Sequence, residues 1–349
     1  MEKKLNNLKL FYFTYLHFIL KYFSFKKLFN LVLNLYEYKT KKIILRSIPF
    51  LINFDVSNLC VLKCPLCPTG RGDKRQTKGV MKFEDFKVVF DKVKDYLFFV
   101  WLYNWGEPFM CQDIFKIVDY CHKNKVGVRL HSNLNYYNDS IIKNIVKSKI
   151  DYISLSIDGF TQKNYRFYRK NGDINKVFSG IKKIQKYKKE FKSKRPILVW
   201  QYLINNRNQG EVEQARLFAL SNKIDFFDSR PLFLFMDTEL KYRKSDYEKF
   251  LSKTSVTEKN AQTIKSKSSC RFLWCSLAVN PNSSYLPCCI AYRDSEIFGT
   301  FKNNRQTINS VINSQIFVES RKLFKNFNYQ PECFTPCLSC GWFTKAGEI

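Results

Sequence analysis

Three cysteines within eight residues constrain this chain more than any other feature. Cys60, Cys64 and Cys67 stand in C-x3-C-x2-C spacing within N-F-D-V-S-N-L-C-V-L-K-C-P-L-C-P-T-G, residues 53–70, directly after the apolar run Phe50 to Val56. Thiolates this close in sequence can converge on one point, and soft sulfur ligands select iron–sulfur clusters, zinc or copper(I). No fourth ligand lies in the loop. A structural zinc is closed by four ligands, so three in isolation point to a cluster with one iron open to a substrate or cofactor. The competing reading is a zinc site completed by Cys111, Cys121 or a more distant cysteine. Histidine adds little to such a set, because the chain holds only His17, His122 and His131. Disulfides fit less well, since the spacing is ligand-like and no secretion signal is recognisable.

From residue 50 onward, strand and helix patterns alternate. Strand-like runs occur at 50–56, 98–103, 127–131, 152–157, 197–204 and 225–234, with helical patterns at 83–96, 113–123, 140–147, 174–191 and 211–221. Six strands joined by five helices predict a parallel sheet with covered faces. In parallel barrels the working residues sit at the carboxyl ends of strands, and the cysteine loop follows the first one.

The cysteine spacing on that loop resembles the signature of the radical S-adenosylmethionine (SAM) superfamily, and further segments extend the resemblance. Trp105-Gly106-Glu107-Pro108 follows the second strand and is similar to the family's glycine-glycine-glutamate-proline loop, with Trp105 in place of the first glycine. His131-Ser132-Asn133 ends the third strand, where the family has threonine-asparagine-glycine. Ser154-Leu155-Ser156-Ile157-Asp158-Gly159 ends the fourth and is similar to the run that faces the ribose and carboxylate of SAM. Tyr168 to Gly172 resembles the arginine-x-x-glycine stretch that comes next. The resemblance implies that Gly106, Glu107, Ser132, Asn133, Ser156, Asp158 and Arg169 bind SAM, with Gln201 a weaker match. Glu107 would hold the methionyl amine, Ser156 and Asp158 the ribose, and Arg169 the carboxylate. Val61 and Leu66 depart from the family's usual residues around the ligands.

A second set of cysteines begins after the polar stretch 235–269: C-R-F-L-W-C at 270–275, L-P-C-C at 286–289 and C-F-T-P-C-L-S-C at 333–340. Their pattern resembles the SPASM or twitch extension, which carries auxiliary clusters. That implies one auxiliary [4Fe-4S] cluster on Cys270, Cys288, Cys337 and Cys340, with Cys275, Cys289 and Cys333 spare or alternative ligands. Ser283 stands where the family has a turn glycine, and a four-thiolate zinc ribbon is the alternative for this half.

Residues 1–45 form a separate piece. Leu8 to Tyr36 mixes aromatics with lysines and holds no Gly or Pro. Its most apolar run, Leu10 to Leu20, is shorter than the ~20 residues that span a bilayer, and it has no small-residue cleavage site. It predicts helices packed on the barrel, the alternative being a basic amphipathic element that touches a membrane peripherally.

The expected architecture is therefore α/β: an N-terminal helical extension (1–45), a partial (β/α)6 TIM-like barrel as radical SAM core (46–240) and a small cysteine-rich iron–sulfur domain (241–349). The net charge of +29, from 59 basic and 30 acidic residues, raises nucleic acid as a partner. The lysines are spread along the whole chain with abundant Asn, Ile, Phe and Tyr, as AT-rich coding would produce, which weakens that argument. The resemblance implies a cytoplasmic enzyme with a SAM-binding [4Fe-4S] cluster, an auxiliary cluster and a reduced flavodoxin- or ferredoxin-type electron donor. It would cleave SAM to a 5′-deoxyadenosyl radical and abstract hydrogen from a carbon of a small molecule, glycan or peptide. The alternative is a basic zinc-ribbon protein that binds RNA without SAM chemistry. No general base can be ranked from sequence.

Overall fold

The computed structural model describes residues 10–232, 250, 270–301, 306–326 and 328–340. The polar stretch 235–269 expected as a connection lies outside them apart from Phe250, as does the expected division at 240/241. Six parallel strands, β1 (Leu51–Phe54), β2 (Phe99–Trp101), β3 (Gly127–Ser132), β4 (Tyr152–Ser156), β5 (Ile197–Ile204) and β6 (Phe226–Pro231), pair in sequence order. The pairing is in step from Val100 opposite Val128 to Ile153 opposite Leu198. The sheet does not close β6 onto β1, so the barrel is partial as expected.

Helices α1 (His17–Lys21), α2 (Phe25–Lys39), α3 (Phe83–Val93), α4 (Ile114–Lys123), α5 (Asp139–Lys147), α6 (Gln162–Tyr168), α7 (Ile174–Glu190) and α8 (Val212–Ser221) complete the first two-thirds of the fold. The crossover helices α3 to α5 and α7 turn one apolar stripe inward. On α3, Phe86, Val89, Phe90 and Val93 are fully buried, and the Phe86 ring meets Phe54 of β1 at 4.7 Å. Each such side chain contributes about 1.5–3 kcal/mol on burial. Caps set the starts: Asn138 accepts from the Ile141 amide at 2.9 Å, and Asp173 from the Asn175 amide at 2.9 Å. Helix α6, within the loop after β4, carried no periodic signal.

The N-terminal segment is not one helix. It breaks at 22–24 without Gly or Pro, and Ser24 caps α2 by accepting from the Lys27 amide at 3.2 Å. Both helices cover the amino ends of the barrel strands. Phe18 is fully buried at the start of β3, filling the space a Cβ at Gly127 would need: that Cβ would lie 2.2 Å from the ring. Lys21 reaches the buried Asp151 carboxylate at 2.7 Å. This is the packing on the barrel that the sequence favoured.

The chain after residue 270 extends the same sheet. β7 (Ser276–Val279) pairs parallel to β1 along its whole length, from Leu51 opposite Ser276 to Phe54 opposite Val279. β8 (Ser284–Leu286) and β9 (Gly299–Thr300) continue antiparallel to give nine strands. The β7–β8 turn forms without the glycine: Ser283 takes φ of +61°, a left-handed conformation that favours glycine. Helix α9 (Gln315–Lys325) locks this part down, its buried Arg321 donating to the Leu273 and Ile43 carbonyls at 3.0 Å each.

Candidate active site and cysteine centres

The carboxyl ends of β1 to β4 surround a cavity of about 220 Å³, and Cys60, Cys64 and Cys67 form one wall of it. The loop is folded by its own backbone, with the Cys67 amide donating to the Cys64 carbonyl at 3.2 Å and the Arg71 amide to the Cys67 carbonyl at 3.0 Å. Gly70 lies so close that a Cβ there would sit 2.5 Å from the Cys64 nitrogen. Burial pushes the Cys60 thiol up to about 12, the Glu107 charge adding to it, and the Cys64 thiol up to about 11, against the pull of Arg169. Protonated thiols in a dry wall are stable as apo protein, and cationic iron would reverse the balance toward thiolate.

Gly106 and Glu107 follow β2. A Cβ on Gly106 would fall 1.9 Å from the Ser57 carbonyl oxygen, so only glycine lets this loop lie against the cysteine loop. The Glu107 amide donates to the Leu59 carbonyl at 2.8 Å. Its carboxylate accepts from Ser132 Oγ at 2.7 Å and the Asn133 amide at 2.9 Å. Full burial outweighs those bonds and raises Glu107 to about 7. Asn133 in turn points Nδ2 at Cys60 Sγ, 3.5 Å away.

Gly106, Glu107, Ser132, Asn133, Ser156 and Arg169, six of the residues singled out in the sequence, all line the cavity. Asp158 does not. Its carboxylate is buried beyond the strand end, where it takes Arg169 Nε at 2.6 Å and the Leu203 amide at 2.7 Å. Arg169 thereby extends Nη1 to within 3.8 Å of Cys64 Sγ. Asp158 holds the arginine in place, and Gln201 sits opposite Ser156 in the sheet without lining the cavity.

Of two further wall residues, Asn104 carried no sequence signal and Trp105 stood out only as the residue in place of a glycine. Asn104 Nδ2 and Trp105 Nε1 are buried donors with no hydrogen-bond partner among the described residues. Unpaired buried donors are costly, and a ligand rich in acceptors such as SAM, with its carboxylate and ribose oxygens, would satisfy both. The thiol set and these donors fit a cluster with SAM. Tyr103 and His131 stack at 3.9 Å on the same wall, and burial holds His131 down at about 3, hence neutral.

The second cysteine group lies beside the first loop. Tyr292 packs its ring on Trp105 at 5.7 Å, its hydroxyl takes Arg71 at 2.8 Å, and Asp294 holds the Thr77 amide at 3.1 Å. Cys270, Cys288, Cys337 and Cys340 stand within electrostatic reach of one another: burial raises the first three thiols, and Cys340 adds to each rise. Cys333 is apart, influenced only by Glu319 and Glu332 after burial. Cys289 acts on the same group, its charge adding to the rises of Cys270 and Cys288 and of the buried Tyr103 phenol. Among the described residues no three His, Cys, Asp or Glu side chains converge at single-ion spacing.

Known proteins resemble the chain in three ways. GTP 3′,8-cyclase of Clostridium botulinum is 25% identical over 143 residues, 38% of this chain and 42% of that protein. The match thus spans less than half the length of this curated relative. The SAM-bound structure of SuiB from Streptococcus suis superposes with a TM-score of 0.60 at 17% identity, covering 89% of this chain and 74% of SuiB. The anSMEcpe structure with bound SAM gives 0.52 at 16%, covering 75% and 80%. At these identities the two structures establish the fold. The model of the Radical SAM superfamily matches residues 54–200, the segment that carries the cysteine loop, Glu107, Asn133 and Ser156. Residues 54–200 thus match the Radical SAM superfamily, and the fold around them is shared with the two SAM-bound structures.

Proposed function

We propose that the protein reductively cleaves SAM and uses the product to remove hydrogen from a carbon of a small molecule, glycan or peptide. The observation that carries this reading is the convergence of three cysteines of one loop with Glu107, Asn133 and Ser156, from three other strand ends, and Arg169, from the end of α6, on a single cavity. When bound, a [4Fe-4S] cluster with one open iron and SAM supply methionine and a 5′-deoxyadenosyl radical at the cost of one electron from a flavodoxin- or ferredoxin-type donor.

This chain's residues bind and orient. Cys60, Cys64 and Cys67 would ligate three irons. An ammonium group brought to Glu107 favours its carboxylate form and offsets the burial that now lifts it to about 7. Asn104, Trp105 and Ser156 offer donors and acceptors to the remainder of SAM. Arg169, fixed by Asp158, keeps a positive charge beside Cys64. The apolar packing of Leu62 and of the Tyr103–His131 stack in the wall excludes water from that space. Cys270, Cys288, Cys337 and Cys340 would hold an auxiliary cluster able to take up an electron in a net oxidation.

The test is anaerobic incubation of the reconstituted protein with SAM and dithionite, scored for 5′-deoxyadenosine. Formation of that product, lost in Cys64→Ala, is expected. Iron-loaded protein that leaves SAM intact would refute the proposal.

A further inference from the structure

Helix α2 is built inside out. At i, i+3, i+7 and i+10, its polar residues Lys27, Asn30, Asn34 and Glu37 are buried against the barrel. Lys27 Nζ donates to the Lys125 carbonyl at 2.6 Å, and Asn30 pairs with both backbone groups of Ile48 at 2.9 and 2.8 Å. Asn34 donates to the Trp274 carbonyl at 2.9 Å, and Glu37 accepts the Arg46 amide at 2.8 Å. The opposite stripe, at i, i+4, i+7 and i+11, is Phe25, Phe29, Val32 and Tyr36, and it is exposed: Phe25 by 83%, Phe29 by 70% and Val32 by 58%. Leu16, Leu20 and Phe23 of the preceding turns are exposed as well. A contiguous apolar face of this kind marks an interaction site.

Charge says what covers it. Residues 1–46 hold ten Lys and Arg and two acids, and one of those, Glu37, is turned inward. Lys21, Lys26, Lys39 and Lys42 are exposed on this segment. A second copy seated on the face would set these lysines against their own kind, on a chain of net charge +29. An anionic lipid surface meets both features, with aromatics at headgroup level and lysines reaching phosphates. Among the described residues no helix is long and apolar enough to cross a membrane. The contact is therefore one of lying on the surface.

We propose that the face formed by Leu20, Phe23, Phe25, Phe29, Val32 and Tyr36 docks the protein on anionic bilayer surfaces. It lies at the amino ends of the strands, whereas the cysteine-lined cavity opens at their carboxyl ends, so docking leaves that cavity to the aqueous side.

The test is flotation of the full-length, cluster-reconstituted protein with phosphatidylcholine vesicles, with and without phosphatidylglycerol. Binding is expected only with phosphatidylglycerol, and it should weaken as salt rises. Phe25→Asp with Phe29→Asp should lower partition at least tenfold while the circular dichroism and iron content match the parent. Lys39→Glu with Lys42→Glu, which leaves the apolar stripe intact, should lower it by about thirtyfold or more, since each basic residue near the surface is worth about 1 kcal/mol and the reversed charges repel. Absence of flotation, or flotation of both variants equal to that of the parent, would overturn the proposal. So would a parent dimer without vesicles that the Phe25/Phe29 variant converts to monomer, because a second copy would then cover the face.

Discussion

Asp158 Oδ2 holds Arg169 Nε at 2.6 Å, and this pair aims the other end of the guanidinium at Cys64 Sγ, 3.8 Å away. Both partners are largely buried, Asp158 completely. Removing one partner of a buried pair costs about 3–5 kcal/mol, because the remaining charge is stranded. Asp158→Ala should therefore lower the unfolding free energy of the metal-free chain by about that amount in a denaturant titration. Arg169→Lys should cost less, since it keeps the charge while losing the fork that serves carboxylate and sulfur together.

Among the described residues Glu107 is the one carboxylate that lines the cavity, and it accepts hydrogen bonds from Ser132, Asn133 and the Phe109 amide. Glu107→Gln keeps size and polarity but gives up the charge. A charge-assisted bond is worth about 1.5–3 kcal/mol, so SAM affinity should fall about 10–100-fold. Equilibrium dialysis with the reconstituted protein measures it, and iron content should be unchanged.

The contact of Gly106 with the Ser57 carbonyl leaves no room for a methyl group. Gly106→Ala must push the two loops apart, and neither obstructing atom belongs to a flexible side chain. Reconstituted iron at the Cys60 loop and SAM binding should both fall, whereas Gly210→Ala, at an open position, should leave both unchanged.

The N-terminal helices are tied to the barrel by a titratable anchor. Asp151 is fully buried and takes Lys21 at 2.7 Å and His122 at 2.9 Å. Burial alone would raise its pKa; the bonds and charges of His122 and Lys21 outweigh that and hold it down at about 2. A folded-state value below the ordinary 3.8 gives stability that is complete above about pH 4 and lost as pH falls toward 2. The loss should be about 2 kcal/mol. It should shrink in Lys21→Ala, read as unfolding free energy across that window.

The barrel was legible because each strand and helix carries its own pattern: Ile197–Ile204 is a strand in both readings, and α3, α4, α5 and α7 start within one residue of expectation. That six of the residues singled out in the sequence share one cavity has a different reason, since each lies in a recognisable segment that ends or follows a strand. The burial of Asp158 away from the cavity lining was not legible, because strand alternation says nothing about a residue past the strand, whose direction is set by Leu203 and Arg169 from other elements. β7 could not be seen as part of the sheet: four residues carry little periodicity, and its partner β1 lies more than two hundred residues away. The orphan donors Asn104 and Trp105 became visible only with burial. The inverted polarity of α2 was hidden because an amphipathic pattern does not reveal which stripe faces inward.

The most direct measurement is iron, acid-labile sulfide and zinc per chain after anaerobic reconstitution, on the parent and on the Cys60/Cys64/Cys67→Ala variant. About eight irons in the parent and about four in the variant are expected for one open and one auxiliary cluster. Stoichiometric zinc with no iron would contradict the account.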